Sequence, residues 1–327
     1  MRKRWVVLGA LSLAAGALFI LNTSWLARPS GALMLLAHRG VHQDYHRENL
    51  TNKTCTASRI YEPTHAYLEN TLPSIRAAFA ANADMVEIDI HPTTDGEFAV
   101  FHDWTLECRT DGEGVTRAQS MAYLRTLDIG YGYTADGGAT FPFRGQGVGL
   151  MPTLREVLEA FPGRRFLINF KSAEADEADR VLAYLEAMDN ADLARLAFYG
   201  AAPADRIREL RPDLVTTGRR QLMACAKSYM LTGWFGNVDD ACRNRIVFVP
   251  SNYAWLAWGW PNRFLARMQD AGSEVVIVAA LRRGERLTAA GIDDEAAFAA
   301  VPPGWRGGVA TDRIEVIGPL AQERWAQ

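Results

Sequence analysis

Short apolar runs alternate with longer amphipathic stretches along most of the chain. Runs with the length of β-strands occupy residues 33–38, 85–90, 97–102, 165–170, 195–200, 214–218, 246–250, 274–280 and 307–311. Apolar residues at helical spacing follow most of these runs, as in LPSIRAAFAANA and RFLARMQDAG. Strands that alternate with helices predict a parallel sheet that helices cover on both faces.

The number of these units favours an α/β fold of the (β/α)8 or TIM-barrel type. A doubly wound sheet fits less well, because no Gly-rich dinucleotide-binding loop follows the first strand. Three stretches do not follow the repeat and are predicted to be loop insertions, namely residues 41–68, 130–150 and 219–245. Long loops after barrel strands build or cover the active-site mouth, so we expect these insertions there.

An uncharged apolar segment, WVVLGALSLAAGALFIL, lies between Arg4 and Asn22. A helix from Trp5 to Leu26 would be roughly 33 Å long, which is enough to cross a bilayer. Basic residues at positions 2–4 predict a cytoplasmic N-terminus, with the rest of the chain in the periplasm or otherwise outside the cytoplasm.

A cleaved signal peptide is the alternative interpretation of this segment. At the best cleavage junction, however, Trp25 would occupy a position that requires a small residue. We therefore predict a basic tip and one transmembrane helix in residues 1–28, followed by a barrel domain in residues 29–327.

Composition and charge narrow the function classes. Hydrophobic residues make up 49% of the chain and charged residues 22%, as in an ordinary packed protein. The formal net charge of -3 argues against a general nucleic-acid binder. The four cysteines lack zinc-site spacing, so we expect two disulfides, Cys225–Cys242 and Cys55–Cys108, with four free thiols as the alternative.

The second predicted strand carries two carboxylates on one face. Glu87 and Asp89 alternate with Val86, Ile88 and Ile90, so both acids point to the same side of the sheet. In a barrel both faces are buried, and two buried carboxylates are costly unless a cation lies between them. Oxygen ligands suit Mg²⁺ or Ca²⁺. The alternative is an exposed antiparallel edge strand.

Other chemically active residues lie where predicted strands end. His38 and Arg39 end the first strand, His102 ends the third, and Lys171 ends the fourth. Barrel enzymes keep their chemistry at these strand ends. Two histidines around a metal can act as general acid and general base, and a lysine can bind a phosphate oxygen.

These residues belong to ordered sequence pieces that resemble the glycerophosphodiester phosphodiesterase family. That family's barrels are similar to those of phosphatidylinositol-specific phospholipases C. The pieces are AHRG at 37–40, ENT at 69–71, VEIDI at 86–90, HD at 102–103, RTDGEG at 109–114, MPTLREVL at 151–158, Lys171 and ATDR at 310–313. The resemblance covers roughly residues 33 to 315 and is densest before residue 171.

The resemblance implies a role for each member of a set of site residues. His38 and His102 would be the acid/base pair, Arg39 and Lys171 would bind the phosphate, and Glu87 and Asp89 would bind one divalent cation, with Glu69 as a further ligand or a partner of the ligands. In such enzymes a neighbouring hydroxyl of the substrate attacks phosphorus, and water then opens the resulting cyclic phosphate.

Two departures from the family pattern stand out. Asn169 replaces a metal-binding Glu two residues before Lys171, so we expect weaker metal binding or a changed metal preference. The family's late Trp-Thr-Val-Asn strand is also missing from residues 274–280. The tryptophans of residues 255–260 could form a substrate wall or a membrane-facing lip, with ordinary packing as the alternative.

The leading hypothesis is a membrane-anchored, metal-dependent phosphodiesterase that acts on glycerophosphodiesters or lysophospholipids. Its products would be a glycerol phosphate and an alcohol. A barrel that binds envelope phosphodiesters without turnover, or a general metal-dependent phosphatase, are the alternatives. The histidines of the first insertion, His42, His46 and His65, are expected to be exposed loop residues.

Overall fold

A computed structural model describes residues 2–51, 54–189, 191–281 and 291–325. The strands are β1 (Met34–His38), β2 (Met85–Pro92), β3 (Phe98–Val100), β4 (Arg165–Phe170), β5 (Leu196–Gly200), β6 (Val215–Gly218), β7 (Ile246–Pro250), β8 (Glu274–Val278) and β9 (Gly308–Thr311). The helices are α1 (Arg2–Asn22), α2 (Leu72–Ala80), α3 (Met121–Leu124), α4 (Leu154–Ala160), α5 (Glu177–Glu186), α6 (Ala202–Leu210), α7 (Arg219–Thr232), α8 (Asn262–Asp270), α9 (Glu295–Ala299) and α10 (Ile314–Trp325).

Eight of the described strands form a nearly closed parallel barrel. Their order is β6-β5-β4-β2-β1-β9-β8-β7, and every ladder along this path is parallel. No backbone ladder joins β6 to β7 within the described chain. Single hydrogen bonds bridge this seam: the Thr216 amide donates to the Asn244 carbonyl over 3.3 Å, and Thr217 Oγ1 donates to the Ile246 carbonyl and accepts from the Ile246 amide, both over 2.9 Å. The predicted TIM barrel is confirmed.

The third predicted strand was wrongly placed in the parallel sheet. β3 is an antiparallel extension of β2, in which Ile90 pairs with Val100 and Pro92 pairs with Phe98. Its apolar alternation resembles that of a barrel strand because both of its faces are buried. The hairpin returns the chain toward the barrel mouth, where the Phe101 amide donates to the Asp89 carbonyl over 3.0 Å.

The predicted insertions differ in structure. Residues 130–150, all of them described, contain turns but no helix or strand. Residues 41–51 and 54–68 contain an isolated bridge between Tyr45 and Ile60 and one short helical turn. The first half of 219–245 is not an insertion, because α7 directly follows β6. The sequence of α7 did not predict a helix because α7 buries only two residues, Cys225 and Tyr229.

The main core lies between the strands and the surrounding helices, and a smaller cluster fills the barrel interior. The interior cluster consists of Leu36, Met85, Leu167, Ala197, Ile246 and Val276. His38, Glu87 and Asn169 stand two residues further along β1, β2 and β4, on the same faces as the first three of these. An apolar floor therefore lies beneath the polar residues of the mouth.

Both expected disulfides are present. Cys55 is joined to Cys108, and Cys225 is joined to Cys242. Among the described residues, one helical segment, Arg4–Asn22, is long and apolar enough to cross a membrane. None of that segment is buried against the rest of the protein.

Candidate active site

The two carboxylates of β2 lie at the barrel mouth in different surroundings. Asp89 is fully buried and surrounded by donors. Lys171 Nζ lies 3.2 Å from its Oδ1, and Arg39 Nε lies 3.2 Å from its Oδ2. The side-chain amides of Asn70 and Asn169 donate to the same carboxylate over 3.0 and 2.9 Å. Burial would raise the pKa of Asp89, but these two cations hold it well below its usual range.

Glu87 is the carboxylate without such partners. Its Oε2 is buried and has no hydrogen-bond partner among the described residues. The ring nitrogen Nε2 of His38 lies 3.8 Å from Oε2. Burial and then repulsion from Asp89 raise the pKa of Glu87 to about 7. A cation at this position would relieve both effects.

The carboxylate of Asp312, which directly follows β9, holds the His38 ring. Its Nδ1 lies 2.6 Å from Asp312 Oδ1, which fixes the ring and leaves Nε2 directed toward Glu87. Arg47 Nη1 donates to the other oxygen of Asp312 over 2.5 Å. Asp312 is thereby buried between a ring nitrogen and a guanidinium group, which keeps it ionised.

His102 has the same arrangement on the opposite flank. Its Nδ1 lies 2.6 Å from Asp103 Oδ1, and Arg109 Nη1 donates to Asp103 Oδ2. Burial, followed by the positive charges of Arg39 and Lys171, lowers the pKa of His102 to about 4. The ring is therefore neutral at neutral pH, and its Nε2 is the nitrogen not engaged by Asp103.

The buried guanidinium of Arg109 links the His102–Asp103 pair to Glu69 and Arg39. Arg109 Nη2 donates to Glu69 Oε2 over 3.1 Å, and Arg39 Nη1 donates to Glu69 Oε1 over 3.1 Å. Arg39 adopts a left-handed backbone with φ of 58°, which turns its side chain back over the mouth. A chain of alternating charges thus runs from His102 to Asp89.

The structure brings all of the predicted site residues to one mouth. These are His38, Arg39, Glu69, Glu87, Asp89, His102, Asn169 and Lys171. Both oxygens of Glu69 are already bound by arginines. Asn169 directs its amide nitrogen, not its carbonyl oxygen, at Asp89. The chemical roles of the set remain predictions.

Sequence reasoning missed several residues of this site. It assigned no role to Asp312, Arg109 or Asn70, although all three lie inside the quoted motifs. The expectation that His42 is exposed was wrong, because it is buried with Nε2 3.8 Å from Asp312 Oδ1. His42 stands two residues after the AHRG motif, and this closeness to His38 in the sequence was the signal available for it.

The residues present fit a divalent cation. Glu87 Oε2 is an orphaned buried oxygen, and Asp89 supplies a second carboxylate on the same face of β2. A second group of donors, from His38, His42 and Asp312, also has ligand atoms within 4.8 Å of one another. Hard oxygen donors at the first position suit Mg²⁺ or Ca²⁺.

Comparison with known proteins places this geometry in a family. The model of the glycerophosphoryl diester phosphodiesterase family matches residues 38–243, which is more than half of the chain. The chain belongs to the glycerophosphoryl diester phosphodiesterase family. The match begins at His38 and includes every residue of the predicted set.

Individual members of the glycerophosphoryl diester phosphodiesterase family support the assignment. A glycerophosphodiester phosphodiesterase of Caldanaerobacter subterraneus subsp. tengcongensis is 32% identical over 103 residues, which cover 32% of this chain and 39% of that protein. The similarity to this curated relative thus spans about two fifths of its length. The corresponding domain of Mycobacterium tuberculosis protein Rv2277c aligns with a TM-score of 0.59 and 17% identity, covering 90% of this chain and all of that domain.

Another similar structure is a phosphodiesterase of Oleispira antarctica, solved with its product sn-glycerol-3-phosphate. It aligns with a TM-score of 0.53 and 19% identity, covering 89% of this chain and 96% of that one. At these identities the two solved structures establish the barrel fold.

Proposed function

We propose that the protein is a metal-dependent phosphodiesterase that hydrolyses glycerophosphodiesters, including lysophospholipids, to a glycerol phosphate and an alcohol. The observation that carries the proposal is the pair of histidines at the acidic centre. Each has Nδ1 2.6 Å from a carboxylate, the buried Asp312 for His38 and the partly buried Asp103 for His102. Family membership and the product complex of the Oleispira antarctica relative support the choice of substrate.

The histidines are arranged for general acid and base catalysis. A carboxylate at Nδ1 fixes the tautomer that carries its proton there, so Nε2 can accept or return a proton. One histidine takes the proton from the substrate hydroxyl that attacks phosphorus, and the other gives a proton to the departing alkoxide. Water then opens the cyclic phosphate with the two roles exchanged.

Positive charge for the phosphate comes from the protein on one side. Arg39 and Lys171 lie on either side of Asp89 and face the same mouth. Their charges would bind the phosphate oxygens and stabilise the charge that develops in the transition state. Glu69, bound by Arg39 and Arg109, keeps the Arg39 side chain in position.

Glu87 and Asp89 would hold the divalent cation. Asn169, which donates to Asp89, and Glu69, which accepts from Arg39, are the neighbouring groups. When bound, the cation supplies electrostatic stabilisation of the phosphoryl oxygens. We propose Mg²⁺ or Ca²⁺ for this position because the available donors are oxygens. We also propose that residues 1–28 anchor the chain and that residues 29–327 form a catalytic domain outside the cytoplasm.

The second candidate function is binding of envelope phosphodiesters without turnover. Asn169 favours it, because this side chain donates to Asp89 and adds no negative charge for a metal. A general metal-dependent phosphatase is distinguished by its tolerance of substrates without a vicinal hydroxyl.

The test is product release by the full-length protein in detergent micelles. Glycerophosphocholine and lysophosphatidylcholine are supplied with Mg²⁺, Ca²⁺ or chelator, and glycerol 3-phosphate, choline and lysophosphatidic acid are measured. We expect metal-dependent turnover that His38→Ala and His102→Ala abolish. His46→Ala is the matched control, since His46 is an exposed histidine that contacts Tyr61 in the loop.

Near-normal rates in either active-site variant would remove the acid and base assignment. Bound metal with no turnover of either substrate would favour the binding protein. Turnover of a diester that lacks the vicinal hydroxyl would favour the general phosphatase.

A further inference from the structure

An exposed apolar surface lies beside the C-terminal end of α1. Its members are large apolar side chains that stay between 40% and 80% exposed. They are Trp25, Leu231, Trp234, Phe235, Trp255 and Trp258, which we call the aromatic surface. Trp25, Leu231 and Trp255 are 80%, 74% and 75% exposed. Trp260, in contrast, packs against Trp305 with ring centroids 5.1 Å apart.

Hydrogen bonds hold the segments of the aromatic surface together. The indole nitrogen of Trp258 donates to the Met230 carbonyl over 3.0 Å. The Tyr229 hydroxyl donates to the Trp258 carbonyl over 2.9 Å. Trp234 and Phe235 contact each other edge to face, with centroids 4.9 Å apart. The exposed rings therefore stand on a fixed framework.

The end of α1 is fixed to the same framework. Asn22 Nδ2 donates to the Trp234 carbonyl over 2.5 Å. Arg267 Nη2 donates to the Leu21 carbonyl over 2.9 Å, and its Nη1 donates to the Gly233 carbonyl over 2.8 Å. A guanidinium at the C-terminal carbonyls satisfies and stabilises the end of α1. The apolar helix thus emerges from the domain directly at the aromatic surface.

Charge and composition suit the headgroup region of a bilayer. Residues 219–269 contain six arginines and one lysine against two acidic residues, Asp239 and Asp240. Tryptophan is the side chain that concentrates at membrane–water interfaces, because its body is apolar and its ring nitrogen is polar. Apolar side chains among basic residues are the composition of surfaces that bind anionic lipid.

We propose that the aromatic surface docks on the headgroup region of the same bilayer that α1 crosses. The inference rests on the proposed membrane anchor. Residues 251–256 begin at the carboxyl end of β7, the end of the barrel that also carries Lys171 and His38. Docking therefore holds the barrel mouth against the membrane. The substrate class of the site is then a single-chain phospholipid, drawn from the bilayer leaflet that the aromatic surface contacts.

The test places one fluorescent probe on the aromatic surface of the full-length protein. All four cysteines form disulfides, so an introduced cysteine is the single free thiol. Leu231→Cys is labelled with an environment-sensitive fluorophore and reconstituted into phosphatidylcholine and phosphatidylglycerol vesicles that contain headgroup-level spin-labelled lipid. Leu210→Cys is the matched control, because Leu210 is 38% exposed at the end of α6, which leads into the amino end of β6, at the opposite end of the barrel from the mouth.

We expect a blue-shifted emission and loss of fluorescence to the spin-labelled lipid at position 231 and neither effect at position 210. Equal, unquenched emission at both positions, with the protein resistant to carbonate extraction, would overturn the docking and leave the anchor in place. Extraction by carbonate would overturn the anchor and the docking together. A blue-shifted emission at position 231 without quenching by the spin-labelled lipid, together with a doubled protein mass in light scattering, would overturn the docking. It would assign the aromatic surface to contact with a second copy of the chain. None of these readouts depends on catalytic activity.

Discussion

Replacement of Arg109 by methionine removes the one cation that two buried carboxylates share. Arg109 is 2% exposed and donates from Nη1 to Asp103 and from Nη2 to Glu69 over 3.1 Å. Its Nη2 also donates to Thr56 Oγ1 over 2.7 Å, and its Nε donates to the Tyr133 hydroxyl over 3.1 Å. Methionine fills much of the volume but leaves all four acceptors without this donor.

The magnitude follows from the burial of these partners. Loss of one member of a buried ion pair costs about 3 to 5 kcal/mol, because the remaining charge is buried and uncompensated. For a chain of this size, 1 kcal/mol corresponds to about 2 °C in Tm. We therefore expect Arg109→Met to lower Tm by about 6 to 10 °C.

The assay is thermal unfolding of the full-length protein in micelles at neutral pH, followed by circular dichroism. Arg125→Met is the matched control, since Arg125 makes a two-oxygen ion pair with Glu156 over 2.8 Å at the protein surface. An exposed pair of this kind contributes less than about 1 kcal/mol, so its loss should lower Tm by less than about 2 °C. Equal shifts in the two variants would refute the argument from burial.

The pH dependence of the same variant gives an independent check. Burial alone would raise the pKa of Glu69, but Arg109 and then Arg39 outweigh it and lower the pKa to about 2. A carboxylate that is more acidic in the folded state stabilises that state above its unfolded pKa and loses this contribution as pH falls. The Glu69 contribution to wild-type stability, about 3 kcal/mol, should therefore be lost between about pH 4.5 and pH 2, and Arg109→Met should lose correspondingly less stability than the wild type over this range.

Three further predictions concern the metal, the first histidine and the covalent links. Asn169→Glu should tighten Mg²⁺ binding at least about tenfold, or about 1.4 kcal/mol, in calorimetry, and unchanged affinity would show that residue 169 is not a ligand. Asp312→Asn should lower kcat about a hundredfold with little change in KM, because His38 Nδ1 loses the carboxylate that fixes its ring. An unchanged kcat would contradict this positioning role. Joint replacement of Cys55 and Cys108 by serine should lower stability by about 4 kcal/mol, or Tm by about 8 °C, and a Tm within 2 °C of the wild type would contradict it.

Local periodicity was sufficient to predict the centre of the site. The alternation in MVEIDI places Glu87 and Asp89 on one face, and the structure confirms that both acids reach the same mouth. The repeat of strands and helices was likewise sufficient for the barrel, because each strand and its helix are encoded within a short segment.

The missed residues act through contacts between distant segments. Asp312 reaches His38 across 274 residues, and Arg109 reaches Glu69 across 40. Periodicity carries no signal for such pairs. The antiparallel turn of β3 was missed for a related reason, since a strand that is buried on both faces has the same pattern whichever way it runs.

The seam between β6 and β7 gives the barrel a preferred place to open. One backbone hydrogen bond, from the Thr216 amide to the Asn244 carbonyl over 3.3 Å, crosses this seam, whereas the other strand pairs form full ladders, so amide exchange should begin there. Cys225 lies in the helix after β6 and Cys242 lies just before β7, so their disulfide joins the two edges of the seam covalently. It limits how far the edges can separate while the other ladders stay intact. In an oxidising compartment the disulfide therefore reinforces the hydrogen bonds across the seam, whereas in a reducing compartment those hydrogen bonds alone would hold β6 to β7.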